Sequence, residues 1–219
     1  MKMVHQGKRD WTDKERVQRM TKSYAVRYDD AFWKSLDSLI GSGKRETLAD
    51  FGCGPGLLLV DMANKYNAKV AIGLDESKEM LAQADIFLKE RTNLESFELV
   101  QINLDTEDIP VEPDSIDFAF SGFMLHEVAS PTKFVSQVCR HIRSQGIFAV
   151  YDFISGNEAA FVKTMSDHGM SEEQARKRYP HMCKHSAIDI EKILQTSGFQ
   201  NCRIIAIDEI RAVVVGIKR

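Results

Sequence analysis

The sequence predicts an α/β fold: a doubly wound parallel sheet, with additional helices before its first strand and after its fifth. Three observations predict it. Short runs rich in Val, Ile, Leu and Phe alternate with longer helical segments, which is the rhythm of βαβ units. One run leads into the glycine-rich turn Gly52-Cys53-Gly54-Pro55-Gly56, which opens a helix. The length of 219 residues, with 43% hydrophobic and 28% charged side chains, suits one compact domain, or a domain with a small lid, and excludes disorder or a fibrous repeat as a description of the whole chain.

Taken in order, Thr12 to Glu15 is a T-x-x-E capping box, and Val17, Met20, Tyr24 and Tyr28 follow at three- and four-residue spacing, so a helix is expected through Tyr28. A second helix is expected over Ala31 to Ile40. The flexible joint Gly41-Ser42-Gly43-Lys44 is the expected boundary between an amino-terminal helical lid, residues 1–43, and the main domain, residues 44–219. Thr47 to Phe51, Lys69 to Leu74, Phe97 to Ile102, Ile116 to Ser121 and Ile147 to Phe153 are expected as five parallel strands, because continuous apolar runs suit strands buried on both faces. Between them, helices are expected at Leu57 to Tyr66, Lys78 to Glu90 and Thr132 to Arg143. The last is entered through Ser130-Pro131, a cap followed by proline at the first helical position.

Beyond Phe153 the rhythm changes. A polar, Met-containing helical stretch from Asn157 to Arg178, with a capping box at Ser171 to Gln174, reads as a lid inserted over the sheet at about residues 156–186. A helix from Ala187 to Ser197 is stopped by Gly198. Cys202 to Ile207 and Ala212 to Ile217 then read as a hairpin.

Lys plus Arg total 29 against 32 Asp plus Glu, a formal net charge of -3, so there is no strong basic field to gather nucleic acid or anionic lipid. No apolar run approaches the roughly 18 residues that span a bilayer, and the polar start lacks the apolar stretch of a signal peptide. A soluble cytoplasmic protein, monomeric or homodimeric, is expected. Cys53, Cys139, Cys183 and Cys202 show no CxxC spacing and are expected as reduced thiols. His181, Cys183 and His185 alternate, and on an extended segment all three would face one way, as metal ligands could. That spacing is not a zinc signature and no fourth ligand is indicated, so no metal is expected, and the favoured reading is a lid strand lining the acceptor pocket or packing under it.

In Leu48-Ala49-Asp50-Phe51-Gly52-Cys53-Gly54-Pro55-Gly56 a strand runs into the glycine turn. There the backbone can pass close to a ligand, and the helix N-terminus offers free N–H groups. About 20 residues further on, Asp75 closes the second strand, the offset at which an acid accepts hydrogen bonds from ribose hydroxyls. Alternatively Asp75 caps the helix that starts near Ser77; both can hold, because Ser77 can supply the cap. Together these residues suggest an adenosine cofactor.

At this point the residues resemble a family: the class I S-adenosylmethionine-dependent methyltransferases, specifically the small-molecule group that includes the ubiquinone and menaquinone biosynthesis methyltransferases. The resemblance runs from about Leu48 to the carboxyl end. The first motif is matched by Asp50, Gly52, Gly54 and Gly56, the second acid by Asp75, the third motif by Asp105-Thr106-Glu107-Asp108-Ile109-Pro110, and the fourth by Ile116-Asp117-Phe118-Ala119 with Leu125-His126-Glu127-Val128. Where the family usually has Lys-Pro-Gly-Gly, this chain has Arg143-Ser144-Gln145-Gly146. The resemblance implies a Rossmann-like methyltransferase fold of seven strands with the last one antiparallel, S-adenosyl-L-methionine as cofactor, and a small-molecule acceptor. It implies a cofactor site made of Asp50, Gly52, Cys53, Gly54, Gly56, Asp75, Glu76, Met80, Leu104, Asp105, Thr106 and Ser121, with Tyr28 closing over it.

Physical reasons stand beside the resemblance. The donor's methionine end carries an ammonium and a carboxylate beside a sulfonium, so its site needs an acid and open backbone, which Asp50 and the glycines supply. Methyl transfer chiefly requires alignment and exclusion of water, and a base only where the acceptor must lose a proton. His126, after the fourth strand, is the candidate base, and Asp152, at the end of the fifth, is the candidate substrate-orienting residue. Two rival readings share the adenosine half: an NAD-dependent oxidoreductase, disfavoured because the turn is GxGxG and not GxGxxG, and a non-catalytic module that binds the cofactor without turnover.

Overall fold

The computed structural model describes residues 13–41, 43 and 45–219; Thr12 of the expected capping box, and Ser42 and Lys44 of the expected joint, lie outside them. Two helices, α1 (Asp13–Arg27) and α2 (Asp30–Ile40), precede β1 (Thr47–Phe51), α3 (Leu57–Tyr66), β2 (Val70–Asp75), α4 (Lys78–Arg91) and β3 (Ser96–Gln101). Then come β4 (Ile116–Gly122), α5 (Pro131–His141), β5 (Ile142–Phe153), α6 (Glu158–Asp167), α7 (Glu172–Met182), α8 (Ala187–Thr196), β6 (Phe199–Ala206) and β7 (Arg211–Lys218). The seven strands form one sheet in the order β3-β2-β1-β4-β5-β7-β6. The first five pair in parallel, and β7 enters antiparallel between β5 and β6.

The apolar strands bury both faces, as continuous Val, Ile, Leu and Phe runs require. On one face α5 and α8 deliver Phe134, Val135, Val138, Ile190 and Leu194 onto Ile72, Leu74, Phe148 and Val150. On the other, α2, α3 and α4 deliver Phe32, Leu36, Leu59, Met62 and Phe87 onto Leu48, Phe118, Phe120 and Tyr151. Burying a side chain of this size is worth about 1.5–3 kcal/mol, so each helix is held by its apolar stripe.

The same packing takes in the second helix. The α2 helix, capped by the Asp29 carboxylate accepting from the Phe32 N–H at 2.9 Å, buries Phe32, Leu36, Leu39 and Ile40 in the same core as the strands. It belongs to the main body, and only α1 overlies it, against α3 and α4.

The insertion after β5 is two helices and not one, broken where Gly169 takes φ 86°. Ser171 then restarts the chain with a reciprocal capping box to Gln174. A small core of Phe161, Val162, Ala175, Cys183 and Ile210 holds the pair together. The extended segment expected at 181–185 is absent: His181 lies within α7 and Cys183 caps its carboxyl end, so the three side chains do not share one strand face. The helix expected to end at Arg178 runs through Pro180 to Met182. The β5 strand likewise starts at Ile142, five residues early, through an irregular register opposite Ile116 and Phe118.

Candidate functional site

Between β1 and β4 the strand order reverses, and the crevice outside the carboxyl ends of the strands at such a point is where open α/β sheets bind ligands. Here the turn after β1 is stitched to β2: the N–H groups of Gly52 and Cys53 both donate to the Leu74 carbonyl, at 2.8 and 3.0 Å. Gly52, Gly54 and Gly56 adopt φ of 86°, 52° and 79°, values that favour glycine. At Gly56 a Cβ would stand 2.9 Å from the Ala84 Cα, so its absence lets α3 and α4 approach; at Gly54 a Cβ would meet nothing within 4 Å. The space above Gly54 is open.

Asp75 braces this turn. Its Oδ2 accepts from the Gly54 N–H and its Oδ1 from the Ser77 N–H, each at 2.9 Å. The cap of α4 is Ser77, whose Oγ accepts from the Met80 N–H at 3.3 Å. Asp50, near the end of β1, is 2% exposed. Burial, and then the charge of Asp75, raise its pKa to about 8. A buried carboxyl whose pKa is raised by a second carboxyl beside it makes a receptor for a cation. Beside them, at the end of β4, the Ser121 hydroxyl is fully buried and has no hydrogen-bond partner among the described residues.

The remaining expected cofactor residues flank this centre. Cys53 and Met80 are buried; burial, and then Asp50 and Asp75, push the Cys53 thiol well up, which makes it inert. Glu76 follows β2 directly, its carbonyl accepting from Gln101 Nε2 at 3.2 Å. The loop carrying Leu104, Asp105 and Thr106 starts beside Asp75, where the Ile102 N–H donates to the Asp75 carbonyl at 3.0 Å. Asp105 Oδ1 accepts from the Ala129 N–H at 2.7 Å, tying this loop to the one after β4. Tyr28, between α1 and α2, packs edge-to-face among Phe32, Phe120, Phe123 and Tyr151 with ring centroids 5.0 to 6.4 Å away. Its hydroxyl lies where a side chain at Gly122 would collide with it.

His126 and Asp152 meet. His126 Nδ1 lies 2.6 Å from Asp152 Oδ1, and the His126 backbone N–H donates to Asp152 Oδ2 at 3.0 Å. Burial by itself pushes the imidazole toward neutrality, but the charge and hydrogen bond of Asp152, and then Glu127, outweigh it and raise the pKa to about 10. At neutral pH the imidazole is therefore protonated.

Two features were not legible beforehand. Glu127 reaches His126 Nε2 at 3.4 Å and His181 Nε2 of α7 at 3.3 Å, linking the β4 loop to the insertion. Phe123 takes φ 53°, costly for a bulky residue, which turns its ring onto Tyr151 and Phe153 at 4.6 and 4.9 Å. No residue type signals such a conformation at a phenylalanine. Cys183 is buried near the pair, burial and then Asp152 pushing its thiol up to about 12. Among the described residues no group of three His, Cys, Asp or Glu side chains could hold a metal ion, and no helix is long and apolar enough to cross a membrane.

Residues 49–150 match a family described as a methyltransferase domain. The chain is 32% identical over 108 residues, 49% of its own length and 31% of the relative's, to an uncharacterised chloroplastic methyltransferase of Arabidopsis thaliana. It is 25% identical over 117 residues to a trans-aconitate 2-methyltransferase of Deinococcus radiodurans, covering 53% of this chain and 42% of that one. It thus spans less than half the length of these curated relatives. In fold it is similar to a SAM-dependent methyltransferase from Aquifex aeolicus, with a TM-score of 0.71 at 19% identity over 95% of this chain and 100% of that one.

Proposed function

We propose, on the premise that residues 49–150 are a class I methyltransferase domain, that this chain transfers a methyl group from S-adenosyl-L-methionine to a small-molecule acceptor. The observation that carries the reading is the buried Asp50 carboxyl, held near pKa 8 beside Asp75 at the mouth of an open glycine turn. Such a pair suits a ligand that brings an ammonium group, and the unpartnered Ser121 hydroxyl suits one that brings further polar atoms. The residues therefore fit this cofactor.

Asp50 would hold the ammonium. Asp75 has a second lone pair on each oxygen to accept from ribose hydroxyls while it keeps the Gly54 N–H in place. Glu76, Met80, Leu104, Asp105 and Thr106 would border the adenosine, and Tyr28 would cover the reacting centre. When bound, the cofactor supplies an electrophilic methyl group on a sulfonium. The chain's part is to align the acceptor and keep water out, which we assign to the α1 segment and to the α6 and α7 insertion acting as lids.

For an acceptor that must lose a proton, we assign the proton to His126, with Asp152 orienting the ring. His126 is charged at neutral pH, so turnover of such an acceptor would rise with pH toward about 10; an acceptor with a free lone pair would show no such limb. The relative named for trans-aconitate supports a small-molecule acceptor.

Two measurements test the reading. Calorimetry should show micromolar binding of S-adenosylhomocysteine and none of NAD; the reverse overturns it. A screen with labelled S-adenosylmethionine over quinols, catechols, amines and carboxylic acids should then find label transfer, and cofactor binding without transfer to any of them would favour a binding module.

A further inference from the structure

Both ring nitrogens of His126 are engaged, and their two partners differ in burial. Nδ1 is fixed by Asp152 Oδ1 at 2.6 Å, and Asp152 is only 1% exposed. Nε2 lies 3.4 Å from Glu127 Oε1, and the other oxygen of that carboxylate, Oε2, lies 3.3 Å from His181 Nε2. Side-chain exposure climbs along this line, from 5% at His126 to 45% at Glu127 and 49% at His181. A row of four titratable groups thus runs from the end of β5, through the loop after β4, to the solvent side of α7.

The other groups around the imidazole offer no second path. Phe153 closes one side, its ring centroid 6.1 Å from that of His126. Cys183 is buried, and burial, and then Asp152, push its thiol up to about 12. His185 feels the charges of Lys184, Asp152, Asp189 and His126, but burial is the largest influence on it and lowers its pKa. The His185 Nε2 is buried with no hydrogen-bond partner among the described residues.

The charge state of His126 makes this row consequential. With Nδ1 committed to Asp152, the ring can take a proton from an acceptor only at Nε2, and Nε2 already carries one whenever the ring is charged. At neutral pH it is charged. A lid that keeps water from the reacting centre also keeps water from that nitrogen, so the proton has to leave through protein groups. A carboxylate can take a proton on one side and release it on the other, and an imidazole can do the same between its two nitrogens, which is what a proton shuttle requires.

We propose that Glu127 and His181 form a proton relay that discharges His126 to solvent while the α6 and α7 lid stays closed. The proposal rests on the methyl-transfer reading, for an acceptor that must lose a proton. The proton on His126 Nε2 passes to Glu127, the carboxyl group turns over and gives it to His181 Nε2, and the half-exposed His181 ring releases a proton to water. The freed lone pair of His126 Nε2 then takes the acceptor's proton. Each step moves one proton and no electron changes hands, so no co-reactant is needed. Glu127 and His181 act through His126, which alone meets the acceptor.

The test follows the ring N–H protons of His126 by NMR in the full chain carrying isotope-labelled histidine, assigned by their loss in His126→Gln, and measures their exchange with water in dilute buffer near neutral pH. The Nε2 proton of the wild type should exchange about tenfold or more faster than the Nδ1 proton that Asp152 holds. Glu127→Gln keeps the side chain's shape but cannot carry a proton, so it should slow Nε2 exchange by about tenfold, and added imidazole buffer should restore it. His181→Gln should slow it in the same direction. Both positions are half exposed, so neither replacement threatens the fold. With a quinol or catechol that accepts label, Glu127→Gln should lower kcat by about tenfold and leave KM within about twofold, with imidazole again restoring turnover.

Faster Nε2 exchange in Glu127→Gln would overturn the relay, because it would show that the carboxylate shields this proton from water. Exchange unchanged in either variant, or slowed exchange that imidazole does not restore, would overturn it as well. So would a kcat that rises at neutral pH in Glu127→Gln, the outcome expected if Glu127 only helps to raise the pKa of His126 and its loss frees the base. A wild type that does not bind S-adenosylhomocysteine fails the methyl-transfer reading and not the relay, since the exchange measurement uses neither donor nor acceptor.

Discussion

His126 Nδ1 and Asp152 Oδ1 are 2.6 Å apart, joining the loop after β4 to the end of β5 through a buried ion pair. Because the imidazole pKa is raised from 6.5 to about 10, the folded state keeps a proton that the unfolded chain gives up. The stabilisation is full below about pH 6.5 and is lost as pH rises through about 10.

Unfolding by urea at pH 6.5, 8 and 9.5 should accordingly show stability falling across the series, and Asp152→Asn should flatten the fall while lowering stability at pH 6.5 by about 1–3 kcal/mol. Wild-type stability that is constant over this interval would contradict a charged pair.

Asp50 carries the opposite consequence for a ligand. Its folded pKa of about 8 against the usual 3.8 means that the free protein loses stability as pH rises between those values. An ammonium ligand needs the ionised form, so S-adenosylhomocysteine affinity should rise from pH 6 to pH 8 with release of a proton. Calorimetry in buffers of different ionisation enthalpy measures that proton, and Asp50→Asn should remove both the release and the pH dependence.

Asp75→Ala should weaken S-adenosylhomocysteine binding by roughly 1–3 kcal/mol, through loss of the ribose acceptor and of the clamp on the Gly54 N–H. The variant should remain folded, since Ser77 caps α4 by itself. A folded variant of unchanged affinity would reduce Asp75 to a brace of its own turn.

Gly122→Ala should cost about 1–3 kcal/mol. The new methyl would collide with the Tyr28 hydroxyl and stand 2.8 Å from the Phe120 ring, forcing Tyr28 out of its cluster. Limited proteolysis should then cut α1 faster than in the wild type while α2, whose Phe32 and Leu36 are fully buried, stays protected. Equal cleavage of α1 in both proteins would show that Tyr28 does not hold that segment down.

Hydrogen exchange should locate the mobile lids at α1 and at α6 with α7, each slowed by S-adenosylhomocysteine, with α2 protected in both states. Removing residues 1–27 should abolish turnover yet leave a folded sheet that binds the cofactor more weakly. Segments equally protected with and without ligand would mark them as static packing.

The alternation of apolar runs and helices determined the doubly wound sheet, and the residues from Asp50 to Gly56 its glycine turn, directly from sequence, because strand burial and glycine conformation are local properties of residue type. Ser77 was legible for the same reason, since it caps the helix three residues on, whereas the hold of Asp75 on the Gly54 N–H, 21 residues back, is tertiary. What only the tertiary structure decided depends on residues far apart in the chain. The assignment of α2 to the core required its Phe32 and Leu36 to meet Phe118 and Tyr151. The charge state of His126 is set by Asp152, 26 residues away, and not by its neighbours alone. The helical end of α7 and the inverted Phe123 backbone are likewise outcomes of packing. Spacing in the sequence carries no trace of such meetings, because the free energy of a contact is set by distance in space and not by distance along the chain.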